Sequence, residues 1–399
     1  ALVVVVALFA VFVLYPVGRL LFVPALEDWN TAIHGKIFLE AFWHTLASAF
    51  LAAMTAMLIG FLYACAMQYA QLPGRRFFQM VALLPFMAPS AVSGLAFLLL
   101  FGRRAELGGW AALWAVQTIA FFPLAYLTIS SVLRAIGPTL ERAAQNLGAR
   151  GFYLFRTVTL RLAAPGLVSA FLFVGLHALA DFGNPLLVGA NYRVLATEAY
   201  AQVVGAGNLP MGAVLAIVLA IPGLAVFFLQ RSYLEKFSYG TMAETAGDNL
   251  LRVTVNPALK WLLFVFCCAV SAVLLLFIGA VCVFAFIRVS DGGYAFTLAA
   301  FSEGVVQSPA LRNSWLASMA AAVTTMFSGI ALAVLTLRQR FFGRRLLDFL
   351  AMLPGSLPGF FIGLALVAAF SAGPLELTGT LAIVVAGLTL RQLPMGYRQ

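Results

Sequence analysis

Unbroken apolar runs of about 20 residues recur along this chain, and they decide its fold class before anything else does. Ten are read as spans: 1–23, 44–70, 77–101, 109–133, 163–187, 210–230, 259–287, 313–337, 346–370 and 378–397. A backbone in lipid must satisfy its own hydrogen bonds, so such a segment is a helix or a strand of a closed barrel. The runs show no period-two alternation, which removes the barrel. Composition agrees: 63% of the 399 residues are hydrophobic and 10% are charged, a balance foreign to soluble domains of this length. The expected fold is all-α, a polytopic transmembrane helical bundle.

Charge orients the spans. The net charge of +10 would by itself fit a nucleic-acid partner, but its placement argues against one. Arg75–Arg76, Arg134–Arg161, Arg231–Lys260 and Arg338–Arg345, with Arg391 and Arg398, alternate with loops carrying Glu27, Asp28, Glu40, Glu106, Glu198, Asp291, Glu303 and Glu376. The basic set holds 17 of the 24 lysines and arginines, and the positive-inside rule makes that side cytoplasmic. Arg103 and Arg104 fall on the opposite side. The partner implied is membrane lipid, not nucleic acid. Cys65, Cys267, Cys268 and Cys282 lie in apolar runs and read as small buried hydrophobes, without a disulfide framework or metal spacing. The chain starts at Ala1 without a basic n-region, so residues 1–23 read as a first span whose start is missing, not as a signal peptide.

The chain also repeats itself. Shifted by 269 residues, Thr45 falls on Ser314, Thr55 on Thr324, Gly60 on Gly329, and Gly74, Arg75 and Arg76 on Gly343, Arg344 and Arg345. Pro85, Pro89 and Gly94 fall on Pro354, Pro358 and Gly363, while Pro123 and Tyr126 fall on Pro394 and Tyr397 at an offset of 271. The second span thus matches the eighth. Six crossings preserve orientation, so the repeat is parallel, about an axis along the membrane normal. The expected organisation is a first half at 1–231, a polar cytoplasmic connector at 232–258 and a second half at 259–399. The counterpart of Glu141 would fall beyond Gln399, so a fused parent of twelve spans is expected, with this chain a fragment of it.

Between the fourth and fifth spans lies a polar island, Arg134 to Gly166, with five arginines. Pro138 suits a first helical turn. Leu133, Ile136, Leu140, Ala143, Ala144 and Leu147 recur at spacings of three and four, one apolar stripe on a helix. Gly148 stands where a helix stops. Arg134, Glu141, Arg142 and Gln145 fall off the stripe, and a second short segment covers Phe152 to Leu160. A stripe kept outside the bilayer can enter a partner's groove.

This stretch resembles the cytoplasmic coupling loop of bacterial ABC-importer permeases, whose pattern is Glu-Ala-Ala, three residues, Gly, nine residues, then Ile-x-Leu-Pro. Ala143, Ala144, Gly148, Val158 and Leu160 match in register. Arg142 replaces the Glu, with Glu141 beside it, and Arg161 replaces the Pro. The resemblance implies a type I importer permease in the bacterial inner membrane, and it makes Glu141, Arg142, Ala143, Ala144 and Gly148 the contact to a separate ATPase. It further implies two ATPase copies and a periplasmic solute-binding protein as partners. ATP-driven closure would swing the halves from inward- to outward-facing.

Asp181, at the outer end of the fifth span, is the acid of greatest interest. Buried carboxylates in spans are costly and mark function. Gly183, Asn184 and Pro185 beside it break a helix and free backbone groups for a cavity. Two readings stay open: a gate element of the translocation pathway, or an interfacial Asp capping a helix end. Pro85, Pro89, Ser90, Ser93 and Gly94 form a proline and small-residue stripe that Pro354, Gly355, Ser356, Pro358, Gly359 and Gly363 repeat. Such residues kink helices, permit close packing or line a path. The candidate pathway set is Asp181, Asn184, Pro85, Ser90, Pro354 and Ser356. His177 shares a helix face with Asp181, but no further ligands support a metal site, and His34 and His44 are scattered.

The GxxxxGK[ST], GxSxG, HExxH and CxxC patterns do not occur. No catalytic residue, cofactor or metal is expected, and ATP hydrolysis falls to a partner subunit. The segment DFGNP followed by VLATEAY resembles permeases for ferric iron, 2-aminoethylphosphonate and similar solutes. Ferric iron leads. An organophosphonate, a sugar phosphate, thiamine or a polyamine stays open. The rivals are an ion-coupled secondary carrier, for which Asp181 is a thin supply of midplane charge, and a non-transporting scaffold.

Overall fold

The computed structural model describes residues 7, 9–102, 108–136, 138–236, 256–290, 293–299, 301–302, 304, 308–338, 341, 343–372 and 375–398. Arg103, Arg104 and residues 237–255 of the connector lie outside the described residues. A π-helical turn, Ala10–Leu14, runs into α1 (Tyr15–Leu21), followed by α2 (Leu26–His34) and the long α3 (Lys36–Tyr69). Next come α4 (Arg75–Met87), α5 (Ala91–Phe101), α6 (Trp110–Ala135), α7 (Pro138–Asn146) and the single turn α8 (Gly151–Leu154). The turn passes through π-helical Phe155–Thr159 into α9 (Leu160–Leu179). Short α10 (Gly183–Val188) and α11 (Leu195–Tyr200) precede α12 (Leu209–Lys236) and α13 (Pro257–Phe284). An antiparallel hairpin pairs β1 (Ile287–Ser290) with β2 (Gly293–Phe296), Ile287 opposite Phe296. Then follow α14 (Pro309–Arg338), α15 (Arg344–Ser356), α16 (Gly359–Phe370) and α17 (Leu381–Arg398).

Among the described residues, six helices are long and apolar enough to cross a membrane, and three bent pairs raise the number to nine. Helix α17 occupies the tenth expected span. Two spans expected as kinked but continuous helices are instead broken. α4 and α5 meet at 101°, and α15 and α16 at 109°. The cause is local. Ala88 (φ −97°, ψ 148°) and Leu357 (φ −86°, ψ 143°) are extended, the conformation that a following proline imposes, here Pro89 and Pro358. Pro85 and Pro354 stay inside their helices. The helical residues 10–21 of the expected first span meet α2, beyond its expected end, at 70°, and the expected fifth span stops at Leu179. Arg391, expected among the cytoplasmic loop charges, lies inside α17, ten residues past Leu381.

The repeat is visible in geometry. Gly74 (φ +71°) and Gly343 (φ +92°) begin α4 and α15 in the left-handed region, where a side chain is strained. A Cβ on Gly60 would lie 3.0 Å from the Tyr126 nitrogen, and one on Gly329 would lie 3.3 Å from the Tyr397 nitrogen. The Thr55 and Thr118 hydroxyls meet at 2.7 Å, and those of Thr324 and Thr389 at 2.6 Å.

The chain divides into two compact units. One holds Ala1–Phe42, Arg193–Leu224 and Ala285–Gln399, and the other holds Trp43–Tyr192 and Ala225–Phe284. The first buries Leu20 of α1, Ala213 and Ala216 of α12, Leu332 of α14, Ala351 of α15 and Phe361 of α16. The second buries Tyr63 of α3, Ala82 of α4, Phe122 and Ala125 of α6, Val174 of α9 and Cys267 of α13. Alanines at these contacts let helix axes approach closely, which is how packing is gained where lipid supplies no hydrophobic drive. In the second unit α13 packs on α4 and α5, and its Ser271 Oγ lies 3.0 Å from the Tyr63 hydroxyl.

Candidate functional site

Two constructions occupy the positions singled out by the sequence. The first is the island after α6. Chain direction changes at Ile136, whose ψ of 102° ends α6. The expected stripe is therefore split: Leu133 belongs to the buried face of α6, and only the residues from Pro138 onward belong to α7. Helix α7 closes with a Schellman arrangement, Ala149 N–H donating to Ala144 O at 3.0 Å and Gly148 N–H to Gln145 O at 2.9 Å. Gly148 has φ +92°, so the turn demands glycine there. Arg142 and Ala143 are exposed and Ala144 is half-buried, while the Glu141 side chain lies outside the described residues.

Around that turn the chain presents apolar surface. Leu147 is 90% exposed, Phe152 76% and Tyr153 67%. Leu154 of the same turn is buried and anchors it. Large hydrophobes held out on an arginine-rich segment mark an interaction surface. Phe152 and Tyr153 were not singled out from sequence. The available signal was an aromatic pair inside a polar island rather than an apolar run.

The second construction is the knot around Asp181, in the loop between α9 and α10. Asp181 is 6% exposed and Asn184 0%. The Asp181 carboxylate accepts from Asn184 Nδ2 at 2.9 Å, Gln117 Nε2 at 3.2 Å, Ser90 Oγ at 3.3 Å and Asn184 N–H at 3.5 Å. Asn184 Oδ1 accepts the Gly94 N–H, in the fourth residue of α5, at 3.0 Å. Glycines make the approach possible. A Cβ on Gly94 would lie 3.1 Å from Asn184 Oδ1, and one on Gly183 would lie 2.8 Å from Ala91 Cβ. Asp181, Gly183 and Asn184 thus meet Ser90, Ala91 and Gly94 across the break of the α4–α5 pair.

The structure therefore brings three of the candidate pathway residues together, Asp181, Asn184 and Ser90, and adds Gln117 of α6. Pro85 instead lines a small cavity of about 10 Å³ with Ser93, Ile119, Leu274 and Phe277, roughly the room for one water. Pro354 and Ser356 lie in the other unit, where the Ser356 hydroxyl donates to Leu353 O of its own helix at 2.7 Å. His177 Nδ1 pairs with Phe173 O at 2.9 Å, and its ring packs against Phe173 with centroids 4.5 Å apart. Among the described residues no three metal-ligating side chains gather. The Asp181 carboxylate thus joins α5, α6 and α10 through these donors.

The family model of the binding-protein-dependent transport system inner membrane component matches residues 56–239, a stretch containing both constructions. The putative 2-aminoethylphosphonate transport system permease protein of Salmonella paratyphi A is 30% identical over 242 residues, 56% of this chain and 90% of the relative. The chain belongs to this family of transport inner-membrane components. It is a multi-pass membrane protein. The putative ferric transport system permease protein of Haemophilus influenzae is 29% identical over 350 residues, 79% of this chain and 54% of the relative. The ferric transport system permease protein of Actinobacillus pleuropneumoniae is 29% identical over 351 residues, 79% of this chain and 49% of the relative. The chain thus spans about half the length of these two ferric permeases. A solved structure of a bacterial alginate ABC transporter, in complex with a periplasmic protein carrying an alginate pentasaccharide, contains a chain of TM-score 0.50 and 16% identity. The match covers 60% of this chain and 93% of that one, and the fold is shared.

Proposed function

We propose that this chain is membrane-spanning machinery of an ATP-driven, binding-protein-dependent importer in the bacterial cytoplasmic membrane. The α7–α8 segment docks on a separate ATPase subunit, of which the transporter carries two copies, and a periplasmic binding protein delivers the solute. The observation carrying this reading is the exposed set Leu147, Phe152 and Tyr153 around the left-handed Gly148, in the turn between α7 and the helix that begins at Gly151. The contact residues are Arg142, Ala143, Ala144 and Gly148 from the expected set, joined by those three hydrophobes. Glu141 remains in the proposed contact by its place in the motif. The domain organisation that goes with this reading is a half at 1–231, a connector at 232–258 and a second half at 259–399. The likeness to permeases of importers weighs against an ion-coupled carrier.

Ferric iron is the leading solute, supported by relatives that match 79% of this chain. An organophosphonate is the second reading, supported by the relative that this chain covers to 90%. Native mass spectrometry of the cognate binding protein, purified without added ligand, separates them: bound iron or a bound phosphonate. For the coupling role, Gly148→Asp abolishes uptake while the protein remains in the membrane. Wild-type uptake by that variant sinks the assignment.

A further inference from the structure

Helix α17 matches α6 in its landmarks. Thr389 falls on Thr118, Pro394 on Pro123 and Tyr397 on Tyr126, and both threonines bond to a threonine of the long helix three elements earlier, α3 and α14. Two neighbouring positions break the likeness. Ala120 and Phe121, buried in α6, become Arg391 and Gln392 in α17. Arg391 lies ten residues into α17, about 15 Å along the helix axis and inside the tenth expected span.

The guanidinium is aimed at a definite place. A Cβ on Gly387 would touch Leu366 of α16 at 3.3 Å, and a Cβ on Gly355 of α15 would meet Pro394 at 2.7 Å. Positions 387, 391 and 394 therefore form the face of α17 that packs on the broken pair α15–α16. At the break itself, a Cβ on Gly359 would stand 2.8 Å from Arg391 Nη1. Gly359 is the repeat counterpart of Ser90, which bonds Asp181 at the other break. Both breaks thus carry an ionic side chain. The Asp181 carboxylate is enclosed and engaged by four donors. Arg391 is exposed, and no ion pair joins it to a carboxylate among the described residues.

An arginine within a span is expensive, and such residues face a bundle interior or a water-filled path where charge is met by charge. We propose that Arg391 is an anion-recognition residue of the transport path, which its guanidinium lines beside Gly359. The solute passes it as an oxyanion (phosphonate, phosphate, sulfate or carboxylate) or as a metal complex presenting such oxygens. The planar fork of donors suits those groups, and the positive end of α16 begins at the same place. A bare trivalent cation is repelled there, so iron travels with an accompanying anion. This inference rests on the importer reading above.

The test uses the whole transporter, full-length permease with its ATPase and binding protein, in proteoliposomes. The probes are radiolabelled iron(III) offered with citrate or with phosphate, and 2-aminoethylphosphonate. Arg391→Gln is expected to lower uptake of the probe that wild type carries by about tenfold or more, while binding-protein-stimulated ATP hydrolysis persists; Arg391→Lys retains intermediate uptake. Arg391→Cys, with exposed native cysteines replaced by serine, is expected to react with a membrane-impermeant anionic thiol reagent. Uptake by Arg391→Gln within twofold of wild type overturns the inference. So does an unreactive cysteine with and without ATP, or loss of ATPase stimulation in both the Gln and Lys variants. Wild type that carries none of the probes in an ATP-dependent way refutes the importer reading itself.

Discussion

Replacing Asn184 by alanine isolates what the Asp181 knot does. The side chain is fully buried and serves two partners, donating to Asp181 at 2.9 Å and accepting from the Gly94 N–H at 3.0 Å. A hydrogen bond to a charged group contributes about 1.5–3 kcal/mol, a neutral one about 1 kcal/mol, and a stranded buried donor costs about 1–3 kcal/mol more. The truncation leaves the Gly94 N–H without its side-chain acceptor. The expected loss is about 3–5 kcal/mol, allowing for partial relaxation. Unfolding in mixed micelles of dodecyl maltoside and sodium dodecyl sulfate measures it, with hydrogen exchange of the α5 amides as a local readout. A knot that ties α5 to α10 also predicts faster exchange at residues 91–95 than in the rest of α5. Stability within about 1 kcal/mol of wild type, with uptake lost, would refute the reasoning and return Asp181 and Asn184 to direct contact with solute.

Three further outcomes follow from the same geometry. Leu147→Ala with Phe152→Ala weakens ATPase association by roughly 100-fold, at about 1.5 kcal/mol for each side chain no longer buried; thermophoresis with purified ATPase measures it, and helix content by circular dichroism stays unchanged. Thr324→Val removes one threonine pair and costs about 0.5–1.5 kcal/mol in mixed micelles. Thr55→Val costs more than Thr324→Val, because Thr55 Oγ1 also accepts from Trp114 Nε1 at 3.1 Å; equal losses would show that bond to be idle.

The spans were legible because the constraint behind them is blunt: an apolar run without period-two alternation satisfies its backbone in lipid as a helix. The repeat was legible for a different reason. Its landmarks are glycines and prolines, and each marks a backbone state, left-handed at Gly74 and Gly343 and extended before Pro89 and Pro358. Whether a proline bends a helix or breaks it was not legible. Pro85 and Pro89 look alike in sequence, yet only the second ends a helix. Nor was the partner behind the break legible, since the Gly94 N–H is met by Asn184, 90 residues away. Gln117 escaped notice for the same reason. A lone amide in an apolar run looks incidental until the fold carries Asp181, 64 residues on, to within 3.2 Å of it. The turn that closes α7 was legible down to its glycine, because Schellman closure is written in neighbouring residues. Its exposed face was not, because Leu147 and Leu154 are the same residue type in one short segment, and only packing assigns one outward and the other inward.

What duplication preserved and what it released separate by physical role. The residues that set helix spacing survive in both halves: the threonine pairs, Gly60 with Gly329, and the glycines that start α4 and α15. A side chain added at Gly60 would push into the backbone of α6, and one at Gly329 into that of α17, so both are held by sterics that close packing does not relax. The bend is held differently. A proline after an extended residue makes it with or without help, so the polar group beside it is free to change. In one half that group is Ser90, joined to a carboxylate buried among donors; in the other it is Gly359, whose missing side chain leaves room for an arginine. A glycine there serves the guanidinium rather than the backbone, since Gly359 needs no left-handed conformation. Substituting serine at Gly359 would restore the geometry of the first half and displace Arg391 Nη1, which stands 2.8 Å from where the new Cβ would lie. Gly359→Ser is thus expected to lower uptake as Arg391→Gln does without unfolding the protein, and normal uptake by it would separate the bend from the transport path.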